Sequence, residues 1–130
     1  MEINWLAVIA AAASSFVLGG LWYSALFAKP WQTAAGVSDE AVKNTNMPLV
    51  FGGSFVLALI AAASFAIFLG PEVDAMTGAL YGFTAGLCWV TASFGINYLF
   101  ERKNLPLFLI NGGYHTLQFT LIGLILGAWR

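Results

Sequence analysis

Apolar residues run almost unbroken through four stretches of the chain, residues 3–27, 48–70, 75–100 and 105–129, and polar residues collect in the gaps between them. Each stretch exceeds the roughly 20 residues that cross a hydrocarbon core of about 30 Å. The pattern predicts an all-α integral membrane protein. It would be a four-helix bundle in which residues 1–130 form a single transmembrane domain and the lipid bilayer is the solvent. The one long connection, residues 28–46, is expected as a loop. In it, Lys29, Pro30 and Trp31 predict a helix stop at the interface, because proline breaks the hydrogen-bond ladder and tryptophan anchors at headgroup level. Ser38 followed by Asp39 and Glu40 has the form of a capped helix start, so residues 39–43 are expected as a short surface helix or an ordered loop.

Composition agrees with a lipid-solvated chain, since 60% of the 130 residues are hydrophobic and 8% are charged. A soluble domain of this size could not hide so much apolar surface. The net charge of −1 offers no field for nucleic acid, so no nucleic-acid partner is expected. Of the five basic residues, Lys29 and Lys43 lie in the first gap and Arg102 and Lys103 in the third, whereas the second gap holds Glu72 and Asp74. Positive charge stays cytoplasmic, which predicts a multi-pass protein of the cell inner (plasma) membrane with both termini outside the cytoplasm. The start Met1-Glu2 lacks a basic n-region, and the first run is longer than the roughly 7–15 residues of a signal h-region, so it reads as a span. Cys88 is the single cysteine and is expected as a small buried residue, without the partners of a disulfide or a cysteine metal site.

Two segments have a similar wording. Leu-Phe-x-basic at positions 26–29 and 99–102 is followed by Asn-x-Pro-Leu at 46–49 and 104–107, and then by Gly52-Gly53 and Gly112-Gly113. This is either a parallel repeat of two helical hairpins, with its axis along the membrane normal, or a coincidence in an apolar chain. Small residues recur at four-residue spacing in every run. They are Ala11, Ser15 and Gly19; Ser54, Ala58, Ala62 and Ala66; Gly78, Gly82 and Gly86; and Gly123 and Gly127. Lipid tails are as apolar as leucine, so close backbone approach through such stripes is what draws membrane helices together. The glycine-zipper pattern of Gly78, Gly82 and Gly86 is expected to pack within the bundle, or else to form a homo-oligomer seam.

Polar groups are costly in a bilayer, and their positions are therefore informative. The fourth run holds Asn111, His115 and Gln118 on one helix face, the third holds Ser93, Asn97 and Glu101 on one face, and the first holds Trp22, Tyr23 and Ser24. At about 1.5 Å per residue, Trp22, Asn97, Asn111 and His115 all fall in the cytoplasmic half of the membrane. Trp22, Tyr23, Asn97, Asn111, His115 and Gln118 are the candidate substrate-binding residues, with His115 as the member that titrates near neutral pH. A lone helix histidine is equally readable as a hydrogen-bonded packing residue. There is no His-x-x-x-His pair for zinc, no lysine within a run for a retinal-type Schiff base, and no carboxylate at a membrane midpoint for exporter-type antiport. Neither a metal, a cofactor nor an enzymatic activity is expected.

The segment from Gly19 to Trp31 reads G-x-x-W-Y-S-x-L-F-x-K-x-W. With Gly36-Val37-Ser38-Asp39-Glu40, Asn111-Gly112-Gly113-Tyr114-His115 and the ending Gly127-Ala128-Trp129-Arg130, it resembles a family of small bacterial four-helix membrane proteins catalogued only as a domain of unknown function. The resemblance implies a four-helix membrane fold over the whole chain and assigns no activity to any residue. The leading expectation from the residues is an oligomeric channel or carrier that admits a small polar solute or ion to the cytoplasmic cluster. The alternative is a structural or accessory subunit of a membrane complex, in which the same residues hydrogen-bond helices together. A third reading is a membrane enzyme or cofactor binder using His115.

Overall fold

The computed structural model describes residues 3–129, which are helical almost throughout and include no strand. The long helices are α1 (Trp5–Leu26), α4 (Met47–Leu69), α5 (Ala75–Glu101) and α6 (Leu105–Ala128), and the short helices α2 (Ala28–Ala35) and α3 (Asp39–Lys43) fill the first gap. Every long helix starts at an Asn or Asp cap. Asn4, Asn46, Asp74 and Asn104 accept from the backbone N–H three residues on, at 2.8–3.2 Å. Pro48 and Pro106 follow in the first turn, where their missing N–H has no intrahelical partner to lose. The similar wording of the two Asn-x-Pro segments thus has a local cause. The glycine pairs that follow them differ, because Gly52 and Gly53 have open space around them, whereas Gly112 and Gly113 lie against Thr91 and Trp22.

The first gap departs from expectation. Lys29, Pro30 and Trp31 do not end a helix; they sit in the first turn of α2, where proline is tolerated. The break comes at Phe27, whose φ of −126° and ψ of 22° leave the helical region. Gly36, at φ 72°, closes α2 in the left-handed conformation, with Val37 N–H donating to Gln32 O at 3.0 Å. Ser38 then caps α3 by accepting from Ala41 N–H at 3.1 Å. Gln32 Nε2 donates to Asp39 at 2.6 Å and Lys29 approaches it at 3.7 Å. The amide first and the ammonium second hold the exposed Asp39 carboxyl below its ordinary range.

Packing is inverted relative to a soluble domain. The buried core consists largely of small residues, with Ala7, Ala11, Ala12 and Ala62 at 0% exposure, while Leu99 and Phe100 are 82% and 86% exposed. Among the described residues, three helices, α1, α4 and α5, are long and apolar enough to cross a membrane. The exposed leucines, isoleucines and phenylalanines on them are what a lipid-facing surface requires. Helix α6 is as long, at 24 residues, but Asn111, His115 and Gln118 dilute its apolar character. It lies innermost, with Ile110, Gly112, Gln118, Ile122, Gly123, Leu126 and Gly127 buried. Cys88, expected to be buried, is exposed, because α5 turns the opposite face inward.

That inward face carries the glycines. A Cβ at Gly78 or Gly82 would fall on the carbonyl oxygens of Gly123 and Phe119, and one at Gly86 would lie 2.7 Å from His115 O. From the α6 side, a Cβ at Gly123 or Gly127 would meet the carbonyls of Gly78 and Asp74. Backbone therefore touches backbone along the α5–α6 contact. At one end, Asn104 Nδ2 donates to Ala34 O at 2.7 Å, which sets the first and third gaps side by side. At the other, Asn4 Nδ2 donates to Trp129 O at 3.1 Å, close to the loop with Glu72 and Asp74.

Candidate functional site

Two π-helical turns shape the polar cluster. Helix α1 widens over Leu21–Leu26 and α5 over Ala85–Thr91. Each wide turn shifts the side-chain register of the residues beyond it relative to a regular helix. Trp22 and Tyr23, inside the wide turn of α1, lie against α6. Trp22 Nε1 donates to Ile110 O at 2.8 Å, and the indole edge lies beside Gly113, where a Cβ would come within 3.0 Å of it. Tyr23 donates from its hydroxyl to Asn111 Oδ1 at 2.6 Å, and Asn111 Nδ2 donates to the Tyr98 hydroxyl at 2.7 Å. One amide on α6 thus joins α1 to α5. Deeper in, the Tyr114 hydroxyl donates to Ser15 O at 3.0 Å, with its ring edge-on to Tyr23 at 5.4 Å.

His115 lies on the α5 side. Its Nδ1 is 2.7 Å from Gln118 Oε1, and its ring stacks on Phe94 at 4.9 Å and 15°. With a carbonyl oxygen as partner, Nδ1 carries the hydrogen. Thr91 donates to Gly112 O at 3.0 Å and sits 3.2 Å from the Thr116 hydroxyl. Among the described residues, no buried side-chain nitrogen or oxygen lacks a hydrogen-bond partner. Gln118 is only 7% exposed, so His115→Leu strands its carbonyl oxygen. The variant is expected to lose about 1–3 kcal/mol of stability in nanodiscs, and His115→Leu/Gln118→Leu to recover much of it, since removing both partners leaves nothing unpaired. Equal stability of His115→Leu and wild type would contradict the pairing.

Of the residues singled out in the sequence, Trp22, Tyr23 and Asn111 come together, and His115 and Gln118 form a second pair on the same helix. Asn97 joins neither: it is exposed, and no hydrogen bond links it to the cluster. The residue facing α6 is its neighbour Tyr98. The sequence does carry a signal for Tyr98, because extending Gly78, Gly82 and Gly86 by fours reaches Phe94 and Tyr98. Ser15 and Thr91 also bind α6, and nothing in their spacing marks them as site residues. Among the described residues, no group of three or more His, Cys, Asp or Glu is placed to hold a metal ion.

Apolar spanning helices, a core of small residues and polar side chains paired across helix–helix seams define a small helical membrane protein. The chain belongs to the family described as "Protein of unknown function (DUF1761)", whose model matches residues 6–127. No curated protein and no solved structure matches it.

Proposed function

We propose that this is a non-enzymatic structural or accessory membrane protein, a four-helix bundle in which α6 spans the bilayer sheathed by α1, α4 and α5. The observation that carries the reading is the engagement of the polar cluster with itself. In the Tyr23–Asn111–Tyr98 chain, the Trp22 bond to Ile110 O and the His115–Gln118 pair, each of these side chains is bonded to another protein group, which leaves few groups of the cluster for a transported solute. Buried polar groups paired in this way set helix register and hold a bundle in one arrangement. Reconstituted in liposomes, the protein is expected to carry no K⁺, Cl⁻ or proton flux above that of empty vesicles. A wild-type flux abolished by Asn111→Leu would overturn the reading in favour of a channel or carrier.

A second reading, an oligomeric channel or carrier, draws support from one observation. Ser93, Asn97 and Glu101 form an exposed stripe on α5, and Asn97 has no hydrogen-bond partner among the described residues. An amide facing lipid is costly, and a second copy of the chain could pair it. The solute path would then run along a seam between subunits, where Asn97, and not the internal cluster, meets the solute. Flux that survives Asn111→Leu and disappears in Asn97→Leu would select this reading over the first.

The orientation we infer places Lys29, Lys43, Arg102 and Lys103 in the cytoplasm and both termini outside it, in the inner (plasma) membrane. The neighbouring positions of α2 and the α5–α6 loop support it, because they set Lys29 at the same end as Arg102 and Lys103. With Cys88 replaced by Ser, single cysteines at the exposed positions Glu40 and Glu72 report the sidedness. An impermeant thiol reagent on intact cells is expected to label position 72 and spare position 40. The reverse pattern would contradict the orientation.

A further inference from the structure

An open-sided groove of about 430 Å³ lies between the end of α5 and the start of α6. That volume is in the range of small-molecule sites. Its walls are almost wholly apolar, with Gly95, Leu99, Leu105 and Phe108 along its length, and Tyr98 and Lys103 supply polar groups. Two features set it apart from an ordinary lipid-facing furrow. Lys103 has no ion pair among the described residues and sits where an apolar span meets the basic connection. The Tyr98 hydroxyl accepts from Asn111 at 2.7 Å, and its own hydrogen has no acceptor among the described residues. The chain of hydrogen bonds from Tyr23 through Asn111 therefore ends in an unused donor on Tyr98, a residue of the groove wall.

The backbone holds these two residues together. Arg102 adopts the left-handed conformation at φ 59°, which folds the chain back so that Lys103 N–H donates to Tyr98 O at 2.9 Å. A cation at the membrane surface with a hydroxyl donor on the adjoining turn of helix, above an apolar furrow, matches the layering of a phospholipid. In such a lipid the phosphate lies outermost, the ester carbonyls just beneath it and the acyl chains deepest.

We propose that the groove seats one anionic glycerophospholipid from the leaflet on the basic side. Its phosphate rests on Lys103, a glycerol ester carbonyl accepts from the Tyr98 hydroxyl, and an acyl chain lies along Gly95, Leu99, Leu105 and Phe108. The net charge of the headgroup matters because Arg102 adds a second positive charge beside Lys103, while Glu101 offsets only one of the two. Basic pockets between membrane helices on this side are a recurrent way of holding acidic headgroups. The proposal needs only the membrane setting and stands whether the protein is an accessory subunit or a carrier.

The full chain, incorporated in nanodiscs of equal parts phosphatidylglycerol and phosphatidylcholine with matched acyl chains, is extracted gently. Retained lipid is then measured by native mass spectrometry. Wild type is expected to keep phosphatidylglycerol in preference to phosphatidylcholine. Lys103→Gln, a change at an exposed position, is expected to lower that preference about five-fold, the effect of one base near an acidic surface. Lys43→Gln, which removes a base away from the groove, is expected to leave it unchanged. Tyr98→Phe is expected to lower retention of both lipids alike, since both carry the ester carbonyl. Wild type without preference, or an equal loss in Lys103→Gln and Lys43→Gln, would overturn the proposal, the second outcome by reducing the effect to diffuse surface charge. Displacement of the retained lipid by inorganic phosphate would also overturn it, because the acyl chain would then contribute nothing.

Discussion

Gly82→Leu is expected to disrupt the α5–α6 contact and with it the fold. A Cβ at position 82 would fall on the Phe119 carbonyl oxygen and lie 2.7 Å from its carbon and 3.1 Å from Thr120 Cα. These obstacles are main-chain atoms of a helix and cannot turn aside as a side chain would. The helices must separate, which undoes the neighbouring contacts of Gly78, Gly86, Gly123 and Gly127. Overpacking a tight contact costs about 1–3 kcal/mol, and a leucine against backbone belongs at or above the top of that span. Gly82→Ala is expected to be milder and still destabilising, because its single carbon meets the same carbonyl. By contrast, Gly52→Leu, at a position with open space around it, is expected to be tolerated. Thermal unfolding and size-exclusion profiles of the three variants in detergent provide the comparison. A Gly82→Leu protein with wild-type stability would contradict the placement of this face against α6.

Asn111→Leu is the second large effect. Asn111 accepts from Tyr23 and donates to Tyr98, so its removal takes a bond from α1 and another from α5 together. Side-chain hydrogen bonds within membranes average about 0.6 kcal/mol and reach about 1.7. The stranded Tyr23 hydroxyl adds the cost of an unpaired polar group, about 1–3 kcal/mol where water cannot reach it. The summed expectation is a loss of about 2–4 kcal/mol. Asn111→Asp with its carboxyl neutral keeps an acceptor for Tyr23 and offers an O–H to Tyr98, and is expected to stay nearer to wild type than leucine does; ionised, it loses that donor and is expected to fall further. Asn97→Leu makes the matching control, since that amide has no partner in the cluster. In monomeric form it is expected to leave stability unchanged.

Much of the helical layout is readable because the signals are local. Asn4, Asn46, Asp74 and Asn104 each mark a helix start, and Pro48 and Pro106 fit the turn behind their caps. Gly78, Gly82 and Gly86 at four-residue spacing point to a close helix approach, and the backbone of α6 lies against them. Less readable are features set by tertiary packing. Nothing local in Leu21–Leu26 or Ala85–Thr91 announces a wide turn, yet these turns decide which residues meet α6. The choice between Asn97 and Tyr98 shows the consequence. Regular spacing from Ser93 favours the amide, whereas the glycine face, carried on by fours, leads to the tyrosine. Pro30 reads as a terminator because proline breaks helices, but the same residue suits a first turn once Phe27 has ended α1. Cys88 departs from expectation for a related reason: small size favours burial only on the face that the neighbouring helix covers.

The central claim is that the polar side chains of α1, α5 and α6 are engaged with one another, and the Tyr23–Asn111 pair is the place to measure it. A double-mutant cycle of Tyr23→Phe and Asn111→Leu, followed by reversible unfolding in bicelles or nanodiscs, isolates the interaction between the two side chains. A coupling of about 0.6–1.7 kcal/mol is predicted, the span found for hydrogen bonds between membrane helices. Strictly additive losses, with no coupling between positions 23 and 111, would contradict the account.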